Sequence, residues 1–182
     1  SSWAFLHGLL RATSANSLTS TSCGGNLPFI IQIDIDDCFS ASFQAVARRA
    51  NVRLGHRWQD DLSVTLPHDL DVFSHGDDEH DNIKPPITSV GLLFIDTLHV
   101  YGQLKRELAL YSPFIEKFIA LHDTTTDGEV GEVVRARFSD KDNGVFAAKL
   151  GWPTEDVTRG LWLAVEEFLA EHVGEWELLK RW

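Results

Sequence analysis

Two apolar runs in this sequence end in side chains that can bind cations or take up protons. In "LLFIDTLHVYGQL" the run ends at Asp96, with His99 three residues later, and in "KFIALHD" a second run ends at Asp123. Carboxylates with a nearby histidine suit a hard divalent cation such as Mg²⁺, and an imidazole can accept a hydroxyl proton near neutral pH. The structural alternative is that Asp96 caps the next helix, Asp123 begins a turn and His99 bonds to the turn backbone.

A strand, a helix and a second strand are needed to bring these acids together. The sequence predicts strands at "GLLFID" and "KFIALHD". Between them, "YGQLKRELALYS" places Leu104, Leu108 and Tyr111 on one stripe of a helix that Pro113 stops. Such a unit forms a right-handed parallel crossover. Adjacent parallel strands lie about 4.8 Å apart, so the two strand-end aspartates should converge at the carboxyl edge, where open α/β sheets bind ligands.

The rest of the chain also alternates strands and helices. The predicted order is a strand "LPFIIQIDIDD" up to Asp34, a helix "SASFQAVARRA", a strand "VRLGHRW", and later a helix "GLWLAVEEFLAEH" and a last strand "EWELLKRW". Residues 67–89 are predicted to be a surface loop insertion, and residues 124–152 a long lid-like loop whose Glu129 and Arg135 contact the substrate. This alternation predicts an α/β fold, a doubly wound and mostly parallel sheet in one domain over residues 1–182.

The composition and charge of the chain limit the kinds of partner that it can bind. The chain has 182 residues, 43% of them hydrophobic, and a formal charge of −11. A nucleic-acid binder would need a basic face, so we expect a small-molecule substrate or a protein partner and no nucleic acid. No apolar run approaches the roughly 20 residues of a membrane span. Cys23 and Cys38 match no disulfide or metal-binding framework, which favours the cytoplasm; the Ser- and Thr-rich "RATSANSLTSTS" leaves organelle targeting as the alternative.

The segments "LLFIDTLHVYGQLKREL", "KFIALHDTTTDGEVGE" and "GLWLAVEEFL" resemble class I S-adenosylmethionine-dependent methyltransferases near the cephalosporin hydroxylase and rhamnosyl O-methyltransferase group. The resemblance implies S-adenosylmethionine as cofactor and Mg²⁺, or another divalent cation, held by Asp96, Asp123 and His122. His122 stands where the family has the first acid of a pair, and imidazole is a softer ligand than carboxylate. His99 stands where the related catechol enzymes have a lysine base, so the resemblance implies a catalytic role for His99 beside Asp96.

For the cofactor, the resemblance implies that Asp34 binds the ribose hydroxyls, with Asp36 as the alternative, and that Asp60 borders the adenine. Solvated turn acids are the structural alternative for this cluster. The family's first strand and glycine-rich loop would precede "SSWAFL", and its final strand would follow Trp182. We therefore expect the fold to be incomplete and the cofactor to bind weakly to these 182 residues.

Three functions follow as hypotheses. The resemblance favours a metal-assisted O-methyltransferase that acts on a small hydroxylated or sugar-like substrate. A catalytically silent, methyltransferase-like binding domain is the second hypothesis, since the first strand is expected to be missing. A metal-dependent hydrolase that uses Asp96, His99 and Asp123 is the third, because it needs only the strand-end cluster.

Overall fold

The structure is a computed structural model that describes residues 29–34, 40–49, 53–58, 62 and 90–179. The 67–89 loop, Asp36 and Asp60 lie outside the described residues. Contacts within the chain group into two compact units, Ser1–Val64 and Thr65–Trp182, and each unit is described by itself. The expectation of one domain over residues 1–182 stays a prediction.

The described residues of the first unit include a strand, a helix and a strand. The elements are β1 (Phe29–Asp34), α1 (Ala41–Arg49) and β2 (Arg53–Trp58). The two strands pair in parallel, with Asp34 opposite Trp58 at the carboxyl end. The Oγ of Ser40 accepts a hydrogen bond from the backbone N–H of Phe43 at 3.2 Å and so caps α1. Phe43 and Ala47, one helical turn apart, are the buried residues of α1, and the predicted β-α-β order is confirmed.

The described part of the second unit starts at Val90 with another parallel crossover. Its elements are β3 (Val90–Ile95), α2 (Tyr101–Tyr111), a 3₁₀ turn (Ser112–Phe114) and β4 (Ile115–Leu121). β3 and β4 pair in parallel from Leu92 opposite Phe118 to Ile95 opposite Leu121, with an irregularity after Val90. The helix ends where Pro113 enters the 3₁₀ turn. The strand, helix and strand predicted around the two acids are confirmed.

Four further helices follow in the described part of this unit. They are α3 (Glu132–Arg135), α4 (Asp140–Leu150), α5 (Thr154–Thr158) and α6 (Leu161–Glu171). Ser139 caps α4 by accepting a hydrogen bond from the Asp142 N–H, and Gly151 ends it in the left-handed conformation at φ 71°. The prediction that residues 124–152 are irregular throughout is therefore wrong, because α3 and α4 lie within them. "EWELLKRW" is no strand as far as Leu179, since Trp176 makes only an isolated bridge to Val173.

The core of the second unit lies between α2, α6 and one face of the β3–β4 pair. Its buried apolar residues include Ile95, Tyr101, Leu104, Leu108, Leu161, Val165 and Phe168. Leu92 and Phe118, which pair across the strands, are exposed. The continuous apolar run of β3 predicts cover on both faces, whereas Leu92 is 37% and Phe118 52% exposed.

The described residues thus form a mixed α/β structure with two parallel strand pairs, β1–β2 and β3–β4. None of the helices within the described ranges has both the length and the apolar character that a membrane crossing requires.

Candidate functional site

The carboxyl ends of β3 and β4 bring the predicted acids to one edge. Asp96 follows β3 directly, and His122 and Asp123 follow β4. The backbone N–H of His122 donates to the carbonyl of Ile95 at 3.0 Å, which extends the strand pairing by one residue. Because the strands are parallel, the side chains that follow them leave the sheet side by side.

His122 lies between the two strand-end carboxylates. Its Nδ1 is 3.1 Å from Asp96 Oδ1 and 3.4 Å from Asp123 Oδ2. Asp123 has a left-handed backbone, at φ 48°, which aspartate tolerates better than most residues. Non-glycine residues in this region cost free energy and cluster at functional sites. The conformation starts a tight turn, in which the Asp123 carbonyl accepts from the N–H groups of Thr126 and Asp127.

His99 reaches the same edge from the loop between β3 and α2. Its Nε2 is 3.5 Å from Asp96 Oδ1, and its Nδ1 is 3.2 Å from Asp127 Oδ2 and 3.7 Å from Asp123 Oδ2. The side chain is only 13% exposed. Its backbone is fixed by Glu132, whose carboxylate accepts the His99 N–H at 3.3 Å and whose own N–H donates to the His99 carbonyl at 2.9 Å. His99 is therefore held in place from both the backbone and the ring.

Asp127 is a part of the site that the sequence reasoning missed. Its side chain is fully buried, at 0% exposure. Both of its oxygens accept from the guanidinium of Arg135, Oδ1 from Nε and Oδ2 from Nη2 at 3.1 Å. This hydrogen-bonded carboxylate raises the pKa of Arg135, with further contributions from Glu132 and Asp123. The signal available was the acid four residues after Asp123 in "DTTTDGEVGE", which a tight turn folds back onto the strand end.

The turn that carries Asp127 is fastened to the start of α6. The N–H groups of Gly160, Leu161 and Trp162 donate to the carbonyls of Glu129, Asp127 and Gly128 at 3.2, 3.0 and 2.9 Å. These donors belong to a helix N-terminus, where backbone N–H groups have no partner within the helix. The backbones approach so closely at Gly160 that a Cβ there would lie 2.3 Å from the Gly128 carbonyl oxygen. Only glycine fits at this junction.

Some of the residues predicted to form the site lie together in the structure, and others do not. The structure brings Asp96, His99, His122 and Asp123 together. Asp34 ends β1 in the other unit, and Asp60 lies outside the described residues. Of the two residues expected to contact a substrate, Arg135 is bound to Asp127, and Glu129 lies in the turn fastened to α6.

Two sets of side-chain atoms are close enough to share a metal ion. One consists of Asp96, His99 and His122, and the other of His99, Asp123 and Asp127; within each set the ligand atoms lie within 4.8 Å of one another. Three protein ligands leave coordination positions for water or a substrate oxygen, as in catalytic metal sites. The arrangement can bind a divalent cation and expose it at the sheet edge.

Comparison of the chain with protein-family models, with curated proteins and with solved structures found no match. Function is therefore inferred from the geometry at the strand ends and from the sequence.

Proposed function

We propose that this chain is a metal-assisted, S-adenosylmethionine-dependent O-methyltransferase that acts on a small hydroxylated or sugar-like substrate. The observation that carries the proposal is the convergence of Asp96, His99, His122 and Asp123 at the carboxyl ends of two adjacent parallel strands. Ligands of open α/β sheets bind at this edge. The resemblance places the metal and the methyl acceptor at the same edge.

The proposal includes a doubly wound, mostly parallel sheet. Its support is the parallel pairing of β1 with β2 and of β3 with β4, with a helix between the strands of each pair. Parallel neighbours joined through a helix are the repeating unit of such folds.

Asp96, Asp123 and His122 would hold a divalent cation, which when bound lowers the pKa of a substrate hydroxyl. The chain's own residues then orient the substrate. Asp96 and Asp123 can accept hydrogen bonds from two neighbouring hydroxyl groups. His99 is proposed to accept the hydroxyl proton. The oxygen then attacks the methyl group, whose bond to the sulfur of the cofactor breaks and leaves the cofactor as a thioether; holding oxygen and methyl group in line would lower the entropic cost of this step. Asp34, at the end of β1, and Asp60 are proposed to bind the ribose and border the adenine of the cofactor.

The test is transfer of a labelled methyl group to a panel of catechols, vicinal diols and simple sugars, with S-adenosylmethionine supplied at about 1 mM because weak cofactor binding is expected. We expect transfer that requires a divalent cation and stops in excess chelator. Asp123→Asn should abolish it, because asparagine fits the left-handed backbone but removes the charge. Glu166→Gln, at an exposed residue of α6, is the control that removes a charge elsewhere. Cofactor binding without transfer would indicate the catalytically silent domain, and absence of both would refute the proposal.

A metal-dependent hydrolase is the second candidate. The observation that favours it is that Asp96, His99, His122 and Asp123 all belong to the second unit, whereas the methyltransferase also needs Asp34 from the first. Chelator-sensitive hydrolysis of model phosphate or carboxylate esters, without binding of S-adenosylmethionine, would select the hydrolase.

A further inference from the structure

The ring of His99 has two nitrogens in different surroundings. Nδ1 lies 3.2 Å from the buried carboxylate of Asp127. Nε2 is buried, has no hydrogen-bond partner among the described residues, and lies 3.5 Å from Asp96 Oδ1. We infer that Asp127 holds the proton of His99 on Nδ1, and that Nε2 is a metal ligand together with His122 Nδ1 and Asp96 Oδ1. We further infer that the ion is a divalent transition metal of the zinc class and not Mg²⁺; this inference rests on the metal-binding part of the proposed function.

The groups beside each nitrogen of the His99 ring determine which nitrogen carries the proton. Arg135 donates to both oxygens of Asp127, so Asp127 faces His99 as an acceptor and its partner must be an N–H. A neutral imidazole carries one proton, which leaves a lone pair on Nε2. That lone pair faces an oxygen of Asp96, which as a carboxylate can only accept. A cation between Nε2 and Asp96 satisfies both groups. Metal-binding histidines usually donate their second N–H to a carboxylate in this way.

The three donor residues lie close enough to share one ion, with their ligand atoms within 4.8 Å of one another. His122 Nδ1 and His99 Nε2 lie 3.1 and 3.5 Å from Asp96 Oδ1. Bonds of about 2.0–2.1 Å in a tetrahedral site place neighbouring ligand atoms roughly 3.3 Å apart. Small rotations of exposed side chains close the remaining difference, since Asp96 and His122 are both partly exposed.

The other set of donors is a poorer site for a cation. It uses His99 Nδ1, Asp123 and Asp127, but the guanidinium of Arg135 already occupies both oxygens of Asp127. A metal ion there would lie beside the positive charge of Arg135, which is held in place by Asp127 and would repel the ion. Asp127 is thus a positioning residue for His99.

Two imidazole nitrogens and one carboxylate oxygen select the kind of metal. Imidazole suits zinc, iron, copper and nickel, whereas Mg²⁺ prefers oxygen ligands in a near-octahedral shell. His99 and His122 together supply two nitrogen ligands, which favours a metal of the zinc class. In this ligand set His99 and Asp123 exchange the roles given to them in the proposed function: His99 binds the metal, and Asp123 is the strand-end group that can accept the substrate proton.

The experiment measures metal binding by the full chain after removal of bound metals. Zn²⁺ affinity is measured by competition with a chromophoric chelator, and Mg²⁺ affinity by calorimetry. We expect one Zn²⁺ per chain, bound at least about 100-fold more tightly than Mg²⁺. His122→Gln should weaken Zn²⁺ binding strongly, and Asp127→Asn by about 10- to 100-fold. Glu166→Gln should leave it unchanged.

A measurement on the unaltered chain loaded with Zn²⁺ covers the case in which Asp127→Asn does not fold. Nitrogen-15 NMR of the histidine rings should show His99 with its proton on Nδ1 and with Nε2 bound to the metal. A His99 ring that binds the metal through Nδ1 or not at all, or equal affinity for Zn²⁺ and Mg²⁺, would overturn the inference. Metal binding and methyl transfer are measured separately, so the two proposals can fail separately. Zinc binding without methyl transfer would refute only the proposed function. Mg²⁺-supported transfer without a preference for Zn²⁺ would refute only the metal class.

Discussion

Replacing Gly160 by alanine should damage the junction that holds the site turn. Gly160 has φ −85°, a conformation that alanine adopts freely, so the backbone itself does not oppose the change. The added Cβ would lie 2.3 Å from the Gly128 carbonyl oxygen and 2.5 Å from that of Asp127. Carbon atoms pack best at about 3.5–4.0 Å. Both contacts are with backbone atoms, which cannot move away by a side-chain rotation.

The change in stability caused by Gly160→Ala is the sum of two opposing effects. Alanine reduces the freedom of the unfolded chain and would stabilise an unstrained site by about 0.4–1 kcal/mol. Inserting an atom into a packed region costs about 1–3 kcal/mol, and here it also separates the hydrogen-bonded backbones of the turn and α6. The clash therefore dominates. For a chain of this size each kcal/mol lowers Tm by about 2–4 °C, so Gly160→Ala should lower Tm by several degrees.

Gly144→Ala is the matched control. Gly144 lies inside α4 with open space where the Cβ would be, and alanine is preferred over glycine in a helix by about 0.5–1 kcal/mol. Thermal unfolding followed by circular dichroism should therefore show opposite shifts, a lower Tm for Gly160→Ala and a higher one for Gly144→Ala. A Gly160→Ala chain as stable as the unaltered one would refute the close approach of the turn to α6.

Three further predictions concern stability. Leu104→Ala removes a side chain that is 2% exposed in the core. It should lower the free energy of unfolding, measured by urea titration, by about 2–5 kcal/mol. A loss below about 1 kcal/mol would show that Leu104 is not in a packed core. Ser139→Ala removes the cap that accepts the Asp142 N–H and should cost about 1 kcal/mol; Ser139→Asp should retain most of it. The hydrogen bond from Lys105 lowers the pKa of Glu167, so the pair stabilises the chain above the unfolded pKa of glutamate and loses that effect as the pH falls through the lower folded value. Since both side chains are over a third exposed, Glu167→Gln should remove less than about 1 kcal/mol of the stability that is lost in acid. The measurement is the free energy of unfolding between pH about 2 and 6. The same pH dependence with and without the substitution would contradict the stabilising role of the Lys105–Glu167 pair.

The parts of the fold with a strong apolar period could be predicted from sequence. β3, α2 and β4 were placed correctly because an apolar run, a 3.6-residue stripe and Pro113 all give local signals. α4 was missed because its buried face consists only of Asn143 and Ala147. Its boundaries were nevertheless present in the sequence, as Ser139 before the helix and Gly151 after it.

Of the candidate site, too, one part could be predicted from the sequence and another could not. The meeting of Asp96 and Asp123 with a shared histidine follows from parallel strands of similar length, which a sequence can indicate. Asp127 could not be placed, because its burial depends on Arg135 and on the backbone of α6, contacts between segments that only tertiary packing defines. The roles of Asp34 and Asp60 stay predictions.

The hydrogen bonds between the site turn and α6 have a consequence for local opening. The N–H groups of Leu161 and Trp162 are protected from exchange with solvent only while the carbonyls of Asp127 and Gly128 remain in place. Detaching the turn therefore exposes the first turn of α6, whose Leu161 and Trp162 side chains are buried in the core. Amide exchange at these two positions should report the same opening free energy as the rest of the core. The segment that carries Asp127 is thus part of the cooperative folding unit, whereas the side chains of Asp96 and His122 at the same site are partly exposed to solvent.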